Sequence, residues 1–233
     1  MIADTGQDAA YTGTLTQDRP ANVRFRIASI VIVLLSGLIY LPVIHGTVIW
    51  DDKEILLGRG IGAPQSILQC FMRPFLFHYY RPLTSVSFLI DHWMWGSNTF
   101  GYHLTNILLH VLTTAVLIGV IAAAFPNRPF VALVDAFLFA VQPVQVSTVA
   151  WIGGRTDSLS TFWIAVFFWT IITGARGEGI RRRRLLALSV LCFALAALSK
   201  EQALAVAPLG PLALICFGAS KPKRSELIVL INI

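Results

Sequence analysis

Two adjacent carboxylates, Asp51 and Asp52, follow Val48-Ile49-Trp50 just beyond the first long apolar stretch of the chain. A carboxylate pressed against an apolar face is desolvated, so its basicity rises and it can accept a proton from a hydroxyl. The same pair suits a plainer task, capping a short helix that begins near Lys53. Arg81 stands in Tyr79-Tyr80-Arg81-Pro82-Leu83, where a guanidinium either clamps a phosphate through forked hydrogen bonds or snorkels to lipid headgroups. Trp151-Ile152-Gly153-Gly154-Arg155-Thr156-Asp157-Ser158 has two glycines whose N–H groups can face an anion, with Arg155 adding charge. It fits a capped turn equally well, with Thr156 or Asp157 as the cap.

A fourth constellation, Ser199-Lys200-Glu201-Gln202, interrupts an otherwise apolar run from Leu185 to Phe217. Ionisable groups in a bilayer interior cost about 2.5–3.5 kcal/mol each on insertion scales. The interruption therefore reads as the tight outward turn of a helical hairpin, with Lys200 either meeting a phosphate or offsetting the dipole of the helix before it. His103, Asn106 and His110 recur at i, i+3 and i+7, one face of a helix, which suits interhelical hydrogen bonding. Gln142-Pro143-Val144-Gln145 leads into the glycine turn. The histidines are otherwise scattered, and there is no Cys/His metal spacing, phosphate-cradling GxxxxGK or serine elbow. These patterns predict no cofactor and no protein metal site, and they leave dependence on a divalent metal open.

Composition specifies what must hold these residues. With 56% apolar residues, 13% charged and a mean hydropathy of +0.71 over 233 residues, the chain is an integral membrane protein and not a soluble domain. The expected fold is all-α, a polytopic transmembrane helical bundle. Apolar segments at 27–44, 102–124, 130–146, 158–174, 185–199 and 203–217 give about six spans, and the run at 226–233 opens a truncated seventh. Residues 1–26 are expected as a disordered cytoplasmic tail and 27–233 as one partial membrane domain.

Between the first two segments lies an outward loop of about 45–101, whose tryptophans, tyrosines and phenylalanines favour interfacial helices. Pro64 and Pro82 are candidate starts for two of them, the second running to Trp95 before Gly96. Cys70, Cys192 and Cys216 give no disulfide framework.

Twelve of the eighteen Lys and Arg residues, Arg19, Arg24, Arg26, Arg128, Arg176, Arg181 to Arg184, Lys221, Lys223 and Arg224, fall on one side if the N-terminus is cytoplasmic. That is the positive-inside pattern. The Arg181–Arg184 run is then a topological signal and implies no nucleic-acid partner. Asp51, Asp52, Arg81, Arg155, Asp157, Lys200 and Glu201 all fall on the opposite, extracytoplasmic side.

Taken in order, Trp50-Asp51-Asp52, Tyr80-Arg81-Pro82-Leu83-Thr84, Gly101-Tyr102-His103-Leu104-Thr105-Asn106 with Leu108-Leu109-His110, Gln142-Pro143-Val144-Gln145, Gly154-Arg155-Thr156-Asp157 and Leu198-Ser199-Lys200-Glu201-Gln202 form a series. It resembles the membrane half of the transmembrane-and-tetratricopeptide-repeat proteins, a branch of the GT-C glycosyltransferase superfamily. The resemblance runs from about residue 30 to 217. It implies transfer of a sugar, mannose in the protein O-mannosyltransferases, from a polyprenyl-phosphate (dolichyl-type) carrier to a protein hydroxyl on the extracytoplasmic side. The host membrane would be the bacterial cell membrane, or the endoplasmic reticulum membrane if eukaryotic.

The resemblance matches the family's acid in the first outward loop to Asp51 or Asp52, the expected catalytic base, and the residue inventory offers Arg81, Arg155 and Lys200 as candidates to bind the donor phosphate. His103, Asn106, Gln142, Asp157 and Glu201 support them. Position 142 is Gln where relatives often carry His before Pro-Val, and the later spans and repeat domain are missing. A phosphate is already a good leaving group, so one base and a few cations suffice, without the second carboxylic acid of inverting glycosidases. Two other classes compete: a transporter or lipid-handling protein lined by the same charges, and a catalytically silent membrane anchor of a repeat scaffold.

Overall fold

The computed structural model describes residues 19–56, 66–76 and 78–218. The chain is all-α: an isolated bridge pairs Phe75 with Tyr79, and no strand occurs among the described residues. In order, the helices are α1 (Arg19–Leu38), α2 (Asp52–Leu56), α3 (Ile67–Met72), α4 (Pro82–Trp95), α5 (Thr99–Ala124), α6 (Pro129–Val141), α7 (Val146–Val149), α8 (Arg155–Arg176), α9 (Gly179–Ser199) and α10 (Leu209–Phe217). Tighter 3-10 turns occupy Leu41–His45, Pro143–Gln145, Ile152–Gly154 and Glu201–Val206.

Proline and glycine set several of these boundaries. Pro82 opens α4, where its missing N–H costs nothing, and Gly96 closes it at φ +59°. The third apolar segment is not one run to 146: α6 stops at Val141, and it meets the turn and short helix Pro143–Val149 at 49°. Pro143 has no N–H with which to continue the ladder.

Other boundaries also move. α1 begins at Arg19, so residues 19–26 extend the first helix and do not belong to the tail. α9 begins at Gly179 and takes in the arginine run. Residues 1–18, Pro64 and the apolar run 226–233 lie outside the described residues.

Among the described residues, length and apolarity qualify three helical stretches to cross a bilayer, Val23–His45, Thr99–Ala124 and Ile152–Arg176, or four if the bent pair Pro129–Val141 and Pro143–Val149 is one span. This is fewer than the expected six. The first turns of α9 hold Arg181 to Arg184, and the last apolar segment, Glu201–Phe217, is too short and is broken ahead of α10.

Two of the buried apolar clusters among the described residues join the long helices. Phe167, Ile171, Phe193 and Leu214 interlock α8, α9 and α10, with Val120 and Ala124 of α5 completing the layer. Ala132, Ala136 and Ala140 form a fully buried small-residue stripe along α6. Ala132 and Ala136 pack with Ile118 of α5 and with Phe25, Ile32 and Val33 of α1. Small residues spaced by four let helices approach closely without an aqueous driving force. Ala136→Leu is therefore expected to cost about 1–3 kcal/mol by overpacking. A lower thermal midpoint in detergent than that of Leu138→Ala, at an exposed α6 position, is the check.

Chain direction alternates through α5, α6, α8 and α9. The starts of α5 and α8, the ends of α6 and α9, and α2 and α4 thus gather at one end of the bundle. The connections 125–128 and 177–178 lie at the other.

Candidate active site

Asp52 is fully enclosed, with 0% exposure, while Asp51 is exposed. The Ile49 N–H donates to Asp52 Oδ2 at 3.1 Å, and the Gly153 N–H donates to Oδ1 at 2.9 Å. The anion faced by the glycine turn is thus the protein's own carboxylate. Burial pushes the Asp52 carboxyl up, and the Ile49 and Gly153 N–H groups and nearby His103 pull it part of the way back. Gly154 is wedged beneath this turn: a Cβ there would lie 2.7 Å from the carbonyl oxygens of Ser147 and Thr148, so the backbone itself excludes a side chain.

Aromatic and imidazole rings surround Asp52. Trp50, exposed and held at φ +46°, sets its ring edge-on to Trp151 at 5.3 Å. His103 is 1% exposed, and its Nε2 lies so close to Gly46 that a Cβ there would come within 3.0 Å. Neither ring nitrogen of His103 has a hydrogen-bond partner among the described residues. His110, two turns further along α5, lies 3.4 Å through Nε2 from the Ala140 carbonyl at the end of α6. Gln142 is exposed at the break after α6 and makes no side-chain hydrogen bond among the described residues.

Arg155 departs from its expected role. It is 0% exposed, and its guanidinium donates to Asp91 Oδ2, to Asn106 Oδ1 at 2.8 Å and to the Tyr102 carbonyl at 2.7 Å. Its face lies 4.5 Å from the centroid of Phe88. With its N–H groups taken up internally, Arg155 locks α8 to α4 and α5 and presents nothing to a ligand in this arrangement. Asn106 also donates to the Trp151 carbonyl at 2.9 Å, and Thr105 donates to Asp91 Oδ1 at 2.9 Å.

Asp91 is therefore the important residue that sequence reasoning missed. The signal was present: it is an acid inside the apolar helix Ser87-Phe88-Leu89-Ile90-Asp91, and such a residue needs a partner.

The remaining two cations sit at the rim. Arg81 forks onto Glu201, Nε to Oε2 at 2.9 Å and Nη2 to Oε1 at 2.5 Å, and its guanidinium lies 4.2 Å from the centroid of the Tyr79 ring. This pairing holds the Glu201 carboxyl down at about 2. Lys200 Nζ donates to Asp157 Oδ1 at 2.5 Å. The Thr84 hydroxyl donates to the Ser199 carbonyl at 2.9 Å, which fastens the Lys200 turn to α4.

These contacts connect the predicted residues. Asp52 holds Gly153, the same turn opens α8 with Arg155 and Asp157, Asp157 meets Lys200, and neighbouring Glu201 meets Arg81. Residues 149 positions apart in sequence, Asp52 to Glu201, are thus joined at one end of the bundle. The assembly offers a desolvated carboxylate able to take a proton and two charge-compensated cations able to meet an anion.

Comparison with known proteins supplies relatives for most of the chain. Over 217 residues, 87% of this chain and 30% of the relative, it is 29% identical to Protein O-mannosyl-transferase F38B6.6 of Caenorhabditis elegans. It is 41% identical over 90 residues to Protein O-mannosyl-transferase TMTC1 of Mus musculus, covering 38% of this chain and 9% of that one. Against Protein O-mannosyl-transferase TMTC3 of Homo sapiens it is 24% identical over 199 residues, covering 80% and 21%. The chain thus spans 30% or less of the length of each of these relatives. No family model matches, and no solved structure matches.

Proposed function

We propose, because this chain is a relative of the TMTC protein O-mannosyl-transferases, that it carries the membrane-embedded reaction centre of a glycosyltransferase. The substrate class is a sugar, mannose by kinship, held on a polyprenyl phosphate and passed to a protein hydroxyl on the extracytoplasmic face. The observation that carries this reading is Asp52, a buried carboxylate of raised basicity fixed by two backbone N–H groups, on the same bundle end as Arg81 and Lys200.

In the reaction, the acceptor hydroxyl passes its proton to Asp52 as its oxygen bonds to the sugar's anomeric carbon. The bond from that carbon to the phosphate oxygen breaks, and the electron pair leaves on the phosphate. Arg81 and Lys200 meet that charge. Arg155 and Asn106 act as positioning residues: they hold the Ile152–Gly154 turn, whose Gly153 N–H binds Asp52, against α5.

The experiment is transfer of labelled mannose from its polyprenyl-phosphate carrier to a Ser/Thr peptide by the protein in proteoliposomes. Label appearing on the peptide supports the reading. Solute uptake by the same vesicles without any sugar transfer would replace it with a transporter.

A further inference from the structure

Both rim cations are more deeply buried than the carboxylates that neutralise them. The Arg81 and Lys200 side chains are 10% and 14% exposed, against 49% for Glu201 and 42% for Asp157. The acids form the outer layer and the cations the inner one. From this arrangement, and resting on the glycosyltransferase reading above, we infer that Glu201 and Asp157 are displaceable internal counter-ions. They keep the cation pair closed and neutral at rest and give way to the phosphate of a polyprenyl-linked sugar.

Three features make the exchange feasible. The fork that Arg81 offers to Glu201 through Nε and Nη2 has the geometry that two phosphate oxygens accept. Stacking on Tyr79 keeps the guanidinium aimed when the carboxylate leaves. Because Lys200 and Glu201 are consecutive on a turn fastened to α4 through Thr84 and Ser199, the two pairs share one scaffold. A half-exposed carboxylate that swings outward is rehydrated at once, whereas a cation moving inward would lose its solvation.

Charge arithmetic then gives the exchange a catalytic consequence. At rest the two ion pairs sum to zero. A bound phosphodiester brings one negative charge to two positive ones, and cleavage of the sugar–oxygen bond leaves a monoester that approaches two negative charges. The uncovered cations are therefore matched to the departing phosphate better than to the intact diester, which is differential stabilisation of the transition state. Return of Glu201 and Asp157 expels the product.

The test is binding of a short-chain polyprenyl monophosphate to the protein in zwitterionic nanodiscs, with the uncharged polyprenol, inorganic phosphate and anionic phospholipid as comparison probes. Glu201→Gln and Asp157→Asn are each expected to tighten binding at least about fivefold, the lower range of such couplings. Glu201→Asp, which keeps the charge, should not. Arg81→Gln should weaken binding. If it does and neither amide variant tightens, the counter-ion proposal is overturned while the cation assignment stands. If the parent binds the polyprenyl phosphate no better than the polyprenol, or Arg81→Gln leaves binding unchanged, the donor-site reading fails and takes the proposal with it. Inorganic phosphate or anionic phospholipid competing as well as the polyprenyl phosphate would identify a general anion site and also overturn the proposal.

Discussion

Asp52→Asn is expected to reduce sugar transfer by about 10²–10⁴-fold while the protein remains inserted in the membrane. Both Asp52 oxygens accept backbone N–H bonds, from Ile49 and Gly153. An amide must turn its NH₂ toward one of them, and that mismatch adds about 1–3 kcal/mol of instability. Asp51→Asn at the exposed neighbouring position should retain most of the rate, so the comparison separates two acids that sequence could not.

The pH profile carries a second signature of the same residue. A base works deprotonated, and burial raises the Asp52 carboxyl, so the acidic limb of the rate profile should lie above the ordinary carboxylate range. For stability the sign is opposite to that of a salt-bridged acid. The protonated form favours the fold, and this contribution is full below the unfolded pKa and lost as pH rises through the folded one. Parental transfer rates in Asp52→Asn with an inactive Asp51→Asn would reverse the assignment.

Asp91→Ala should have the largest effect on folding. It leaves the Arg155 guanidinium, fully enclosed among Asn106, Tyr102 and Phe88, without its counter-charge, and one-sided removal from a buried pair costs about 3–5 kcal/mol. The double replacement Asp91→Leu with Arg155→Met should recover only part of that loss: the apolar pair needs no desolvation, but Asn106 Oδ1 and the Tyr102 carbonyl lose the donor they share. Thermal unfolding in detergent is the measurement: a single variant as stable as the parent would show that water or another group satisfies Arg155. Transfer by the double variant, compared per folded molecule, then reports whether the lock only supports Asp52 or also shapes the site.

Much of this was legible in the chain because it is written in local chemistry. Pro82 and Gly96 bracket α4, the i, i+3, i+7 spacing of His103, Asn106 and His110 put all three on the buried face of α5, and the Ser199–Gln202 interruption is a turn. What could not be read was pairing. Arg155 and Arg81 look alike as sequence, an arginine at the start of a helix, yet one is sealed around Asp91 and the other lies at the rim on Glu201. That difference is made by α4 folding against α5 and α8, a tertiary event with no periodic signature. The span count suffered from the same limit at a smaller scale: hydropathy counted the residues around Pro143 as one apolar segment, and the missing N–H divides them.

The Arg155 lock also has a consequence for biogenesis. Its partners Ser87, Asp91, Tyr102 and Asn106 are made well before the arginine. A nascent chain arrested ahead of residue 155 must therefore leave the Asp91 carboxylate without its cation. α1, α5 and α6 can pack through Ala132 and Ala136 beforehand, but the α4–α5 junction stays without its cation until the arginine-bearing hairpin arrives. Quality-control recognition of stalled or truncated chains should accordingly fall sharply once translation has passed that point.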